Sequence, residues 1–136
     1  MSNKIFVDTA GGIALLNTSD VLHQSAKQVM HQLQQQQAFL VTTDFVLLEV
    51  ADALSAPAVR ARTVAFISGL RQLNVLQILP VSQALLNQGW QLYSQRPDKE
   101  WGLTDCTSFV VMTQDQITIA FTSDHHFQQA GFIKLM

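Results

Sequence analysis

The stretch KIFVDT, from Lys4 to Thr9, contains a short apolar run that ends in a carboxylate. Three apolar residues in a row, Ile5 to Val7, are typical of a buried strand. Placing the carboxylate of Asp8 beside a hydrophobic core is costly unless a cation or a metal ion compensates its charge. This stretch therefore predicts a buried strand that delivers an acid either to a cap or to a cation site.

Three further carboxylates also border or interrupt apolar runs. Glu49 lies within VLLEV (46–50), Asp105 follows GLT (102–104) and Asp124 follows FTS (121–123). Elsewhere the chain is poor in charge, because Asp, Glu, Lys and Arg make up 13% of its 136 residues against roughly 25% in soluble domains. Together with Asp8 these residues are called the four acids below. If the fold gathers them, they form a site for divalent metal ions.

Apolar runs and helical stretches alternate along the whole chain. Strands are predicted at 5–7, 39–42, 75–79 and 117–121, with a small strand near 132–133. Helical patterns are predicted at 13–17, 20–37, 44–54, 57–73, 82–93 and 104–112, with a short turn of helix before Gly131, and 94–102 is predicted to be an exposed loop. This alternation predicts an α/β fold with a mainly parallel sheet. Without a repeat or a linker, residues 1–136 are predicted to form a single domain.

The pattern predicts where the four acids lie. Asp8 and Asp124 are at or just past the carboxyl ends of predicted strands, and Glu49 and Asp105 are in the first turns of the helices that follow. Ligands of open α/β sheets bind beyond the carboxyl ends of the strands. Mg²⁺ and Mn²⁺ prefer carboxylate and water oxygens, and two such ions about 4 Å apart can activate water against a phosphodiester. A Mg²⁺ (or Mn²⁺) cofactor is therefore predicted.

Several neighbours of the acids are candidates for a supporting role. Thr9, Thr104 and Ser123 can orient an acid or bind a water, although capping is an alternative and is favoured for Thr104. Asp98 precedes Asp105 by seven residues and is either a fifth acid of the site or a solvated loop charge.

Other aromatic and histidine residues are interpreted more conservatively. His125 and His126 are interpreted as turn residues rather than metal ligands. Trp90 and Tyr93 have helical spacing, which favours the core, although with Trp101 they could stack nucleobases.

Composition limits the function classes. The net charge of −2 argues against holding nucleic acid by bulk electrostatics, but not against a nuclease whose metal ions supply positive charge. A single cysteine excludes an internal disulfide and a cysteine-based zinc site. The sequence has neither a signal-peptide pattern nor a long apolar run, so a cytoplasmic protein without membrane segments is expected.

Four motifs carry a resemblance to a known family. FVDT (6–9) is similar to its first acidic motif, and TDFVLLE (43–49) to its helix-borne glutamate motif. DKEWGLTDCTSF (98–109) is close to the third block, and TSDHHFQQAGF (122–132) to the closing segment. By these motifs, in order and over nearly its whole length, the chain resembles PIN-domain proteins of the VapC-like type, small metal-dependent ribonucleases often paired with an antitoxin.

The resemblance implies a three-layer α/β/α fold with a central sheet of four to five mainly parallel strands. It implies that Asp8, Glu49, Asp105 and Asp124 are both the metal ligands and the catalytic residues. It also implies hydrolysis of RNA with water as the nucleophile, the toxin role in a type II toxin–antitoxin pair, a small antitoxin partner and a homodimer.

One segment departs from the family, and several other functions are left open. AGG (10–12) stands where related sequences tend to carry Ser and larger apolar residues; the glycines are expected to destabilise the first helix by about 1 kcal/mol each relative to alanine. The alternatives are a housekeeping RNA-processing nuclease and a non-catalytic binding module of the same fold. A phosphatase with a strand-end nucleophile would need a second aspartate two positions after Asp8, where Ala10 stands.

Overall fold

In the computed structural model, which describes residues 3–136, five strands alternate with seven helices. The strands are β1 (Lys4–Val7), β2 (Phe39–Thr43), β3 (Leu76–Leu79), β4 (Ile119–Phe121) and β5 (Ile133–Lys134). The helices are α1 (Thr9–Leu16), α2 (His23–Gln35), α3 (Asp44–Ala53), α4 (Pro57–Leu70), α5 (Gln83–Gln95), α6 (Leu103–Gln114) and α7 (His125–Gln129). None of these helices is long and apolar enough to span a membrane.

All five strands are parallel and lie in the order β3-β2-β1-β4-β5. The first strand is therefore central, with β2 on one side and β4 on the other. Its register with β4 pairs Val7 with Phe121, so the residues that follow these two strands are neighbours. The predicted α/β fold with a mainly parallel sheet is confirmed, and the carboxyl ends of all strands face one edge.

Helices cover both faces of this sheet. Successive residues of a strand point to opposite faces, and in β1 the side chain of Phe6 packs in one apolar cluster while Ile5 and Val7 pack in another. The first cluster includes Phe109 of α6 and the second includes Ala26 of α2. Burial on both faces explains why β1 is an uninterrupted apolar run.

Close packing explains the glycines at the start of α1. A Cβ atom at Gly11 would lie 2.3 Å from the carbonyl oxygen of Phe121, and one at Gly12 would lie 3.2 Å from Cγ2 of Val50. The expected loss of helix stability was stated relative to alanine. At Gly11 that comparison does not apply, because alanine does not fit there. The glycines bring α1 against β4 and α3, beside Asp8.

Side chains cap the first turns of α3 and α6. Thr43 caps α3, since its Oγ1 accepts the N–H of Val46 at 3.1 Å. The prediction that Thr104 caps α6 is wrong, because the cap is Gly102. Oδ2 of Asp105, three residues on, accepts the Gly102 N–H at 3.1 Å, which moves the start of the helix ahead of Thr104.

The exposure of the aromatic residues in and just after α5 is the reverse of the prediction. Trp101, placed by the sequence in an exposed loop at 94–102, is only 6% exposed and meets the ring of Phe109 edge-on, with ring centroids 5.0 Å apart. Trp90 and Tyr93, interpreted as core, are 56% and 45% exposed. Helical spacing shows that two side chains share a face, but not whether that face is covered.

Candidate active site

Asp8 is the most buried of the four acids. It follows β1, caps α1 and is 3% exposed. Its Oδ2 accepts a hydrogen bond of 2.7 Å from Oγ1 of Thr122. Burial raises the pKa of Asp8 to about 7, against the opposing effect of the Thr122 hydrogen bond, and the charge of Asp105 raises it further. A cation bound beside this carboxylate would favour its charged form.

Thr122 also joins Asp8 to Asp124. Its Oγ1 accepts the backbone N–H of Asp124 at 3.0 Å while donating to Asp8. The arrangement follows from the pairing of Val7 with Phe121, because the next residue on each strand is then Asp8 and Thr122. Asp124 in turn caps α7 by accepting the N–H of His126 at 2.9 Å.

His126 joins Asp124 to Asp105. Its Nδ1 lies 3.4 Å from Oδ1 of Asp124 and 3.2 Å from Oδ2 of Asp105. Burial raises the pKa of Asp105, and the charge of Asp124 raises it further, whereas the hydrogen bond from Gly102 lowers it. The two carboxylates lie on one imidazole, so negative charge is concentrated at this point of the site.

Glu49 reaches the same edge from the second turn of α3, since it is the sixth residue of that helix, and the prediction that it lies in the first turn is wrong. Its Oε1 accepts a hydrogen bond of 2.7 Å from Oγ1 of Thr9, the residue next to Asp8. Unlike Asp8, Glu49 is exposed. Hydrogen bonds, together with the peptide bond between Asp8 and Thr9, thus link the four acids, and this region is called the acid edge below.

Comparison with known proteins identifies the family of this chain. The PIN-domain family model matches residues 5–133. The chain belongs to the PIN-domain family. Two relatives from Mycobacterium tuberculosis strains, both named 23S rRNA-specific endonuclease VapC20, are 30% identical over 131 residues, covering 96% of this chain and 97% of each relative.

A solved structure is similar throughout. The crystal structure of M. tuberculosis VapC20, described as a sarcin-ricin loop cleaving toxin, superposes with a TM-score of 0.83 at 30% identity, covering 95% of this chain and 96% of that one. The predicted resemblance to VapC-like PIN-domain proteins is confirmed, as is the five-stranded parallel sheet flanked by helices.

The residues predicted to support the acids differ in whether their side chains contact the acid edge. Thr9 contacts an acid, although that acid is Glu49 rather than Asp8. Within residues 3–136 the side chains of Thr104 and Ser123 form no hydrogen bond to an acid. Both carboxylate oxygens of Asp98 accept hydrogen bonds of 3.0 Å from Arg96, so its described polar contacts lie in the loop rather than at the acid edge.

Two residues that contact the acids of this PIN domain were not assigned from the sequence. Thr122 directly follows the apolar run of β4, just as Asp8 follows β1, and that shared position is the signal that could have identified it. His126 was interpreted as a turn residue, yet it contacts two acids. Cys106, adjacent to Asp105, is fully buried, and burial raises its thiol pKa to about 11. A thiolate nucleophile at neutral pH is therefore disfavoured.

The residues of the acid edge fit a hard divalent cation. Four carboxylates supply oxygen ligands, which suit Mg²⁺ and Mn²⁺. Among residues 3–136, one group of side chains brings its potential ligand atoms within 4.8 Å of one another, namely Asp124, His125 and His126. Of the four acids, only Asp124 belongs to this group, and its two histidines had been interpreted as turn residues. The burial of Asp8 independently indicates a cation site, because this carboxylate has no basic side chain as a hydrogen-bond partner among residues 3–136.

Proposed function

We propose that this PIN-domain protein is an endoribonuclease that hydrolyses RNA phosphodiester bonds with Mg²⁺ or Mn²⁺. The observation that carries the proposal is the contiguous acid edge, in which a buried carboxylate and two mutually repelling ones converge without a lysine or arginine among their described hydrogen-bond partners. The metal ligands and catalytic residues we assign are Asp8, Glu49, Asp105 and Asp124.

Three side chains hold these ligands in place. Thr122 orients Asp8 and fixes the backbone that carries Asp124, Thr9 orients Glu49, and His126 sets the relative positions of Asp105 and Asp124. Partners of this kind restrict the rotamers of metal ligands and increase metal affinity. When bound, divalent ions would activate water and stabilise the leaving oxygen.

We further infer that the chain, as a single cytoplasmic domain over residues 1–136, is the toxin of a type II toxin–antitoxin pair. The support is the whole-length similarity to relatives named as ribosomal RNA endonucleases and toxins. Large-subunit ribosomal RNA is accordingly the first substrate to test. The expected partners are a small antitoxin and a second copy of the chain.

The reaction is tested by incubating purified protein with total RNA and with intact ribosomes in Mg²⁺ or Mn²⁺ and mapping the cut ends. We expect discrete cuts that disappear with a chelator and in the Asp8→Asn and Asp105→Asn proteins. Asp52→Asn is the matched control, since Asp52 is an exposed acid on α3 and its removal should leave cleavage unchanged. Full activity in chelator, or in either acid variant, would refute the metal-site assignment.

The biological role needs a separate test. Expression of the chain alone should arrest growth, and coexpression of a short neighbouring reading frame that encodes a DNA-binding antitoxin should restore it. Unimpaired growth together with metal-dependent cleavage would favour a housekeeping RNA-processing nuclease. RNA binding without any cleavage would favour a non-catalytic module.

A further inference from the structure

A stacked pair of aromatic rings is exposed on α5, outside the acid edge. The ring centroids of Trp90 and Tyr93 are 5.5 Å apart and their planes differ by 17°. The residues are three positions apart on one helix, so their side chains share a face. With exposed fractions of 56% and 45%, the pair presents two adjoining aromatic rings to water, and contiguous exposed apolar surface is a feature of interaction sites.

The position of this pair is fixed relative to the acids. A Cβ atom at Gly89 would lie 2.5 Å from Cγ2 of Thr107, so α5 touches α6 directly beside Trp90. Helix α6 carries Asp105 in its first turn. The aromatic pair is therefore attached, through a close contact between helices, to the element that supplies one of the acids.

The pair borders an open groove of about 640 Å³ between α5 and the loop that precedes α6. We call it the aromatic groove; its lining includes Trp90, Tyr93, Arg96, Lys99, Trp101 and Gly102. The backbone N–H of Gly102 donates to the carboxylate of Asp105. One end of the aromatic groove thus meets the acid edge, where a scissile phosphate would lie.

The groove presents hydrogen-bond donors as well as ring faces. The guanidinium carbon of Arg96 lies 5.0 Å from the ring centroid of Trp101, and its Nε and one Nη each donate to Asp98. An arginine has five N–H groups, so three remain for a ligand. Because Asp98 and Glu100 offset Arg96 and Lys99, the groove carries little net charge. This combination favours nucleobase stacking over bulk electrostatic attraction.

We propose that the aromatic groove binds a single-stranded segment of the RNA substrate next to the scissile phosphate. Bases stack on Trp90 and Tyr93, and Arg96 and Lys99 contact the phosphates that connect them. The proposal rests on the function proposed above and adds the place where the substrate strand is held. Unpaired bases are required, because bases within a duplex are already stacked on one another.

The test is fluorescence titration with a single-stranded oligouridylate in EDTA, which separates binding from cleavage. The chain has two tryptophans, of which Trp90 is exposed and Trp101 is buried. Binding should quench the emission of the wild-type protein. The quenching should be largely lost in Trp90→Phe, which keeps a stacking surface and so retains binding measured by anisotropy of a labelled oligonucleotide. Trp90→Ala and Tyr93→Ala should each weaken binding by about 5- to 100-fold, the effect typical of a lost base–aromatic stack.

Phe39→Ala is the matched control. Phe39 is 57% exposed but begins β2, at the end of the sheet opposite the acids, so its loss should leave oligonucleotide binding unchanged. Thermal unfolding confirms that each variant is folded. Groove-dependent binding in EDTA by a protein that cleaves no RNA would support the groove while refuting the proposed function.

Three results would overturn the proposal: wild-type affinity in both alanine variants, equal affinity for a duplex of the same length, and loss of antitoxin binding with RNA binding intact. The last result would assign the aromatic groove to a protein partner.

Discussion

The acid edge has a strand half and a helix half, and water reaches them very differently. In the strand half, Asp8 is 3% exposed and is hydrogen-bonded to Thr122 of the adjacent chain segment. In the helix half, Glu49 is exposed and is held by Thr9. A buried charge is costly unless it is compensated. Above pH 7 the strand half therefore holds a buried charge that a bound cation would compensate, whereas water solvates the carboxylate of Glu49 in the helix half.

The largest expected difference between the two halves is in the stability of the Asp8→Asn and Glu49→Gln variants. Each should reduce RNA cleavage by more than the roughly 10- to 100-fold that is typical of losing a partner behind a metal ligand. Only Asp8→Asn should raise the free energy of unfolding in chelator at pH 8, because it removes a buried charge. Chemical denaturation measures this difference, and equal stability of the two variants would remove the distinction between the halves.

The same contrast predicts a pH dependence of stability in chelator. The pKa of Asp8 is about 7 in the folded chain against 3.8 in the unfolded chain, so the folded state holds an extra proton between these values. The stabilisation is complete below the lower value and is lost as pH rises through 7, by up to about 4 kcal/mol at roughly 1.4 kcal/mol per pH unit. Asp105, whose pKa is also raised, acts in the same direction.

Denaturation at pH 5, 6, 7 and 8 measures this dependence. Saturating Mg²⁺ should restore stability at high pH, and Asp8→Asn should flatten the profile. Stability that is constant from pH 5 to 8 in the metal-free wild type would contradict the burial of an uncompensated acid.

The strand half also depends on the contact between α1 and β4. Gly11→Ala should lower the free energy of unfolding by about 1–3 kcal/mol, the usual effect of overpacking, because its Cβ would collide with the Phe121 carbonyl. Gly69→Ala is the control: nothing lies within 4 Å of a Cβ atom there, and alanine should stabilise α4 by up to about 1 kcal/mol. A neutral Gly11→Ala would show that α1 can move away from β4 at little cost.

The smallest expected difference is between the two supporting threonines. Thr122→Val should weaken Mn²⁺ binding by about 10- to 100-fold, since it removes the hydroxyl that orients a buried ligand. Thr9→Val should have less effect, because water can replace its hydrogen bond to the exposed Glu49. Calorimetric titration compares the two, and a larger loss for Thr9→Val would reverse the ranking.

The positions of the acids could be predicted from the sequence because each is tied to an apolar run. A carboxylate that ends a buried strand, or that lies near the start of the following helix, is placed at the carboxyl edge by the α/β pattern alone, although Glu49 lies one turn further along α3 than predicted. The hydrogen bond from Thr122 to Asp8 depends on the pairing of Val7 with Phe121. The apolar pattern of one strand does not show how that strand pairs with its neighbour. His126 likewise reaches Asp105 only because α6 and α7 lie side by side in the fold.

The burial of the aromatic residues of α5 was predicted wrongly for a different reason. The contact of Gly89 with Thr107 turns that side of α5 inward, and Leu85 is buried with it. Trp90, the residue after Gly89, lies about 100° further around the helix and is exposed, as is Tyr93, whose ring stacks on it. A glycine gives no hydropathy signal for a buried face, so periodicity alone favoured the wrong side of the helix.

Calorimetric titration of Mn²⁺ at pH 6, in buffers with different ionisation enthalpies, tests the central claim most directly. Metal ions bind the deprotonated carboxylate, so binding to the acid edge must release protons. We predict Mn²⁺ binding with proton release in the wild type, and loss of both the high affinity and the released proton in Asp8→Asn. Absence of Mn²⁺ binding, or binding that is unchanged in Asp8→Asn, would contradict the assignment of the acid edge as a metal site.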